Sequence, residues 1–450
     1  MARARIAALT AVVVVLAGGA AVGGYAETRA VRAHTEPVPT TSAPPTPAAV
    51  TAATASPTPA PTTTTPVASA AAVRTALAAA VTAPALGGRL LARVVDADSG
   101  TVLYDRGGTV AAAPASTAKL LTAAAVLTVH PATYRLTTTV VRGPGNSVVL
   151  VGGGDPTLTA ATGNEQPAYA GAARIADLAK KIMFRPSEIV VDDSLFAGPS
   201  VAPQWDAGDA PSEYGAPITA LMADGGRATP AATVRSGTPD LAAGQALAKA
   251  LGGGIPVVRG TAPHAAAVLA TVRSAPLETL VTQMLQDSDN VIADVLARQV
   301  ALARHRPASF AGAATAIREV LAQEGVAVGS GMVDGSGLAA SDRLTAQALT
   351  GVLRLIASRA TVAISGLPVA GWSGTLAGRY AGSSAAGEVR AKTGTLTGVS
   401  TLAGFARDAD GRLLAFAFLA DQVTPGDAGT LAAEAALDVL ATRLVVCHCS

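Results

Sequence analysis

The chain has 450 residues, enough for two or three domains at roughly 100–200 residues each. Hydrophobic residues make up 50% and charged residues only 14%, so a large buried core is available and global disorder is excluded. A net charge of +2 and an aromatic content of 3% exclude a nucleic-acid partner held by charge or base stacking.

In chain order, Arg3 and Arg5 precede an uncharged apolar run over residues 6–26, the pattern of an export signal. Gly24-Tyr25-Ala26 offers small residues where a signal peptidase would cut. At about 21 residues the run is also long enough to span a bilayer. Residues 1–32 are therefore expected to be a cleaved signal peptide or a single membrane anchor. Either one places the rest of the chain outside the cytoplasm, secreted or held at the cell envelope. No cysteine lies here, which excludes a lipoprotein anchor. Residues 33–70, rich in Pro, Thr and Ala, cannot pack a core and are expected to form an extended linker or a glycosylated stalk.

Several chemistries are absent. No Gly-Lys-Ser/Thr stands for a phosphate loop, no HExxH for a zinc protease, and no G-x-S-x-G for a hydrolase elbow. Gly152-Gly153-Gly154 runs into Asp155-Pro156, which is a turn rather than a nicotinamide fingerprint.

Three motifs remain, and the chain has only five lysines to spend on them: Lys119, Lys180, Lys181, Lys249 and Lys392. In Ser116-Thr117-Ala118-Lys119, Pro114 precedes an apolar helical pattern, so Ser116 should open a helix. Residues three apart share a helix face, so Lys119 can reach the Ser116 hydroxyl. A buried lysine near a helix N-terminus loses its proton readily and can activate that hydroxyl as a nucleophile. Ser288-Asp289-Asn290 is polar between two apolar helical runs. It suits a loop that caps a helix, or one that relays a proton through its hydroxyl and holds a carbonyl through its amide. Lys392-Thr393-Gly394-Thr395 leads into strand-like runs, so it sits at a strand edge where a peptide can pair as one more strand. Lys392 would supply positive potential for a carboxylate, and Gly394 leaves room for close backbone approach.

The ordered set S-x-x-K, S-D-N, K-T-G resembles that of penicillin-binding proteins and class A β-lactamases. Spacing separates the two, because Ser288 follows Ser116 by 172 positions. About 130 of these, roughly 132–268, form an insert with strands at 148–151 and 189–191 and helices at 172–183 and 241–251. The chain thus resembles the D-alanyl-D-alanine carboxypeptidase/endopeptidase family, the class C low-molecular-mass penicillin-binding proteins, over about residues 72–445. Supporting stretches are 151–158, 191–196, Tyr214-Gly215-Ala216-Pro217, Asp334-Gly335-Ser336-Gly337-Leu338, and Gly374-Thr375-Leu376 with Arg379. Residues 224–239 are short where the family often carries a further insert, so a third domain is expected to be absent or reduced.

The resemblance implies an α/β fold, with a transpeptidase-like catalytic domain in two parts (71–131 and 269–446) around an inserted domain (132–268). Ser116 would attack the carbonyl between two terminal D-alanines of a peptidoglycan stem peptide, with Lys119 as base. Ser288 would pass a proton to the leaving amine, and Asn290 would hold the acyl side chain. Lys392, Thr393, Gly394 and Thr395 would bind the terminal carboxylate and edge. Asp155 and Arg379 would meet the charged end of a diaminopimelate side chain, although a turn cap for Asp155 and pairing with Glu388 for Arg379 remain open. Endopeptidase action on cross-links and covalent inhibition by β-lactams also follow from the resemblance. A β-lactamase and a non-catalytic wall-binding scaffold are the rival readings. No metal or cofactor is expected, because Cys447-His448-Cys449 cannot close a tetrahedral shell. Those cysteines (residues 447–450) are expected in a mobile tail or an intermolecular disulfide.

Overall fold

In the computed structural model the described residues are 68–449; the expected leader and nearly all of the expected linker lie outside them. Ser69 caps α1 (Ala70–Leu77) by accepting from the Ala72 N–H. β1 (Leu90–Asp96) and β2 (Val102–Arg106) pair antiparallel, and β3 (Ala111–Ala112) is a short strand just before the Ser116 turn. α2 (Lys119–Val129) is buried on all sides from Lys119 to Val126. Its run of alanines suits that place, since a helix apolar all round belongs in a core.

The chain then leaves the catalytic layers for a second sheet. This consists of β4 (Thr137–Arg142), β5 (Ser147–Val151), α3 (Ile175–Ala179), β6 (Glu188–Asp192), α4 (Pro239–Ala250), β7 (Val257–Arg259) and β8 (Val268–Arg273). The strand order is β7-β6-β5-β4-β8, with β4 antiparallel to both neighbours and β5, β6 and β7 parallel. Val140, Leu150, Ile189 and Val191 pack against the side chains of α3 and α4. The helix expected over 172–183 is only α3. The Thr159 backbone exchanges hydrogen bonds with Ala173 and Ile175, which keeps the residues before α3 extended. The expected boundary at 268 falls on the first residue of β8, which pairs with β4 and belongs to this sheet.

On return, α5 (Leu277–Gln286), α6 (Asn290–Ala303) and α7 (Phe310–Gln323) join α2. β9 (Leu344–Thr345) pairs with β3. α8 (Ala346–Arg359) and α9 (Thr361–Ser365) lead to β10 (Val389–Leu396), β11 (Val399–Arg407) and β12 (Leu413–Ala420), and α10 (Asp427–Val445) follows. The main sheet runs β10-β11-β12-β1-β2 and is antiparallel throughout, so β10 is an edge. Gly398 at φ +74 makes the tight turn from β10 to β11.

β11 and β12 are buried almost end to end because helices cover both sheet faces. Alternation decides which residue goes where. Leu414, Phe416 and Phe418 face the α1–α10 side, whereas Ala415, Ala417 and Leu419 face the core of α2 and α5–α8. The result is a three-layer α/β/α arrangement, the architecture expected for the catalytic part.

The cysteines do not form a mobile tail. Cys447 and Cys449 are joined in an intrachain disulfide, with Cα atoms 5.1 Å apart, and both are buried against the α1–α10 face. His448 points the other way, to Asp410 at 3.0 Å, so alternation brings the two flanking sulfurs to one side. The Cys449 carbonyl accepts from the Ser69 N–H at 2.5 Å.

Phe416 is fully buried and stacks on Phe418 at 4.9 Å. Phe416→Ala is expected to cost about 3–5 kcal/mol in denaturant unfolding. Leu431→Ala, at a site 65% exposed, should cost under about 1 kcal/mol.

Candidate active site

Pro114 and Ala115 lead into a single 3₁₀ turn, residues 115–118, that runs directly into α2. Ala115 sits at φ +45, a strained conformation for a residue with a Cβ. The Thr117 hydroxyl ties the turn down by donating to the Pro114 carbonyl at 2.6 Å. Ser116 is thereby left half-exposed at the mouth of α2, while Lys119 is fully buried beneath it.

Lys119 Nζ has three partners: Ser116 Oγ at 2.8 Å, Asn290 Oδ1 at 2.6 Å and the Ser336 carbonyl at 2.8 Å. An ammonium has three donors, so this cage satisfies it completely. Burial nevertheless pushes the Lys119 pKa down to about 8, against the opposing pull of Asp294, Asp334, Asp289 and Asp342. In the neutral amine, the hydrogen on the Ser116 contact belongs to the serine, and Nζ accepts it.

The second motif is the turn between α5 and α6. Ser288 stands at φ +56 and is half-buried. Asp289 caps α6 through the Ile292 N–H at 2.9 Å. Burial would raise its carboxyl, but the Arg235 charge and hydrogen bonds from Arg235, Ile292 and Tyr169 outweigh that and hold it at about 2. Asn290 opens α6, with Oδ1 on Lys119 and Nδ2 donating to the Tyr214 carbonyl at 3.0 Å.

The third motif lies on the edge strand β10. Lys392 is fully buried behind the strand and donates to the Thr393 carbonyl at 2.9 Å. Burial, and then the nearby Lys119 charge, push its pKa well below the usual lysine value. Thr393 Oγ1 meets Thr375 Oγ1 at 2.8 Å, and Thr395 donates to Glu434 Oε1 at 3.0 Å. A Cβ on Gly394 would run into Thr401 Oγ1 and sit 2.8 Å from the Pro114 carbonyl. The glycine therefore lets the nucleophile turn press against β10. Ser116, Ser288, Asn290, Thr393 and Thr395 line one cleft of about 960 Å³.

Residues 73–235 and 227–444 match the D-Ala-D-Ala carboxypeptidase 3 (S13) family. A carboxypeptidase of Mycobacterium tuberculosis is 41% identical over 438 residues, covering 93% of this chain and 88% of that relative. The chain belongs to the D-Ala-D-Ala carboxypeptidase 3 family. The carboxypeptidase DacB of Mycolicibacterium smegmatis is 42% identical over 394 residues, covering 83% of this chain and 84% of its own. The crystal structure of penicillin-binding protein 4 (dacB) from Haemophilus influenzae superposes with a TM-score of 0.66 at 24% identity, over 79% of this chain and 95% of that one. The shared architecture is the α/β fold described above.

Two residues expected in the site of this carboxypeptidase are not brought to it. Asp155 is 2% exposed and does not line the cleft. Its Oδ1 accepts from the Thr157 N–H and hydroxyl at 2.8 and 2.6 Å, so it is a turn cap. Burial raises its carboxyl to about 6. Arg379 is held by Asp438 in a two-pronged pair at 2.9 and 2.5 Å, with Glu434 3.8 Å away, all on α10. Glu388, its expected partner, instead lies 3.8 Å from Arg407. Arg379 meets the cleft only indirectly, through the Glu434 that accepts from Thr395.

Other residues matter here and have no motif of their own. Asp334 accepts from the N–H groups of Ser336, Gly337 and Ala339 at 3.0, 2.6 and 2.9 Å, and from Trp205 Nε1 at 2.8 Å. This folds the loop that offers the Ser336 carbonyl to Lys119. Burial, and then Asp334, push Asp294 up to about 8 and Asp342 up to about 10. In the sequence, 334–338 was legible only as one of the stretches of the family resemblance, with no role for Asp334.

Gly394→Ala is expected to displace the Ser116 turn. Misplacement of about 1 Å costs roughly 100-fold in rate, so acylation by a β-lactam should fall by about that factor while far-ultraviolet circular dichroism stays unchanged.

Proposed function

We propose that this carboxypeptidase hydrolyses stem peptides ending in D-Ala-D-Ala through an acyl-enzyme on Ser116. The observation that carries the reading is the Lys119 amine, which touches both Ser116 Oγ and Asn290 Oδ1 in the cleft that also holds Ser288 and the edge of β10. Neutral Lys119 takes the Ser116 proton as Oγ attacks the carbonyl. Ser288 passes a proton from Lys119 to the departing amine, and the nitrogen leaves as D-alanine. Asn290 orients the acyl side of the peptide through its amide. The backbone N–H groups of Ser116 and Thr395 serve the oxyanion. Water then releases the shortened stem peptide by the reverse proton path.

The terminal carboxylate belongs at the Thr393 end, in front of Lys392. Two buried lysines repel, and burial together with the Lys119 charge holds the Lys392 pKa well below the usual lysine value. An incoming carboxylate returns charge to it, so binding and protonation of Lys392 support each other. Thr393 and Thr375 supply hydroxyl donors there. A β-lactam presents the same carboxylate and a strained amide, which supports covalent inhibition at Ser116. The proposed site of action is the wall outside the cytoplasm, with the enzyme released or held by a single N-terminal anchor. Arg3, Arg5 and the apolar run after them support that placement. Among the described residues no helix is long and apolar enough to cross a membrane.

Intact-mass spectrometry after adding benzylpenicillin should show a long-lived adduct that Ser116→Ala abolishes. No adduct on a folded wild-type enzyme would sink the reading, and rapid loss of the adduct with drug turnover would turn it into a β-lactamase. The pH dependence follows from Lys119. Its neutral form is the base, so the acylation rate should rise as pH is raised through about 8 and level off above it. A stopped-flow acylation profile checks this. A rate that falls over the same interval would remove Lys119 from the role.

A further inference from the structure

Asp289 stands between Ser288 and Asn290, is buried, and has both oxygens occupied. Oδ1 closes the first turn of α6. Oδ2 accepts from the Tyr169 hydroxyl at 2.8 Å and from Arg235 Nη2 at 3.0 Å, with Arg227 Nη2 at 3.9 Å. None of these three partners comes from the catalytic layers. Tyr169, Arg227 and Arg235 all belong to the stretch between β5 and α4, within the insert.

The partners are themselves fixed. Tyr169 and Arg235 are 4% and 6% exposed. Arg235 Nη1 donates to the Gly225 carbonyl at 3.1 Å, and Arg227 Nη1 donates to the Tyr169 hydroxyl at 2.8 Å. Next to this clamp, Ser288 holds a left-handed backbone at φ +56, although it carries a Cβ. Such a conformation persists only where its surroundings over-determine it. The residue that follows, Asp289, is pinned by its carboxylate to α6 on one side and to the insert on the other.

We propose that Tyr169 and Arg235 are positioning residues for Ser288: by gripping Asp289 they aim the hydroxyl that delivers the proton to the leaving amine. This rests on the proton-relay role given to Ser288 above. In that step the Ser116 Oγ–carbon bond forms and the carbon–nitrogen bond breaks. The Ser288 hydroxyl gives its proton to the nitrogen and takes one from the Lys119 ammonium. An amine leaves only when protonated, whereas a thiolate leaves without a proton. Misaimed Ser288 therefore harms amide cleavage and spares a thioester with the same acyl group.

The test compares a D-Ala-D-Ala peptide with its thioester analogue. General acid catalysis is worth on the order of 10²–10⁴-fold, so Tyr169→Phe, which deletes only one hydroxyl, should lower kcat/KM on the peptide by roughly ten-fold. On the thioester the loss should be under about two-fold. Arg235→Lys should show the same selectivity and serves if Tyr169→Phe fails to fold. Ser288→Ala should show a larger amide-selective loss, and adding Tyr169→Phe to it should change the peptide-to-thioester ratio no further. Equal losses on both donors in Tyr169→Phe, or no loss, with Ser288→Ala selective, would overturn the positioning role alone. A Ser288→Ala enzyme that loses both donors equally would overturn the relay, and this proposal with it.

Discussion

Everything in the catalytic half converges on one nitrogen. Lys119 Nζ is buried beneath the cleft and binds its own helix turn, the start of α6 and the loop at Ser336. Burying an amine is costly, and that burial pushes its pKa down to about 8. That same depression makes it a base near neutral pH. All three hydrogen bonds of the ammonium are made, yet burial still disfavours the charged form, and that is what lets the amine take the serine proton. The alanine-rich faces of α2 and the contact with α6 are what let the three segments come this close.

Behind the lysine stands a set of buried acids with divided tasks. Asp334 spends its carboxylate on three backbone N–H groups and Trp205, and so shapes a loop. Asp294 and Asp342 are pushed up by burial and then by Asp334, so they add less negative charge than their number suggests. The acids still pull Lys119 upward, and burial outweighs that pull.

The motif lysines and serines were legible because the chemistry demands their types, their order is that of the resembled family, and helix spacing lets Lys119 reach Ser116. The apolar runs of β11 and β12 were legible as strands, whereas the helices that cover both faces of their sheet come from distant parts of the chain. Asp155 was misplaced because Asp-Pro-Thr looks the same in sequence whether the carboxylate faces substrate or its own turn. Arg379 was misplaced because its partners, Glu434 and Asp438, sit on a helix 55 and 59 residues away. The Tyr169–Arg235–Asp289 cluster had no local signal, since it joins residues up to 120 positions apart. The disulfide needed the fold to bury Cys447 and Cys449 together against α1 and α10.

The second sheet leaves and rejoins the catalytic layers through adjacent strands. Thr137 at the start of β4 lies opposite Arg273 at the end of β8, and the Ser274 N–H donates to the Leu136 carbonyl at 2.9 Å just beyond. Entry and exit are neighbours, so a short bridge could replace the whole insert without redrawing the path of the catalytic chain. The architecture is modular at this neck. At the site it is not, since excision would strip Asp289 Oδ2 of Tyr169, Arg235 and Arg227 and leave the carboxylate without its charge partners. A shorter enzyme of the same plan must therefore supply a local substitute for that clamp, or carry a neutral residue in the middle of its second motif.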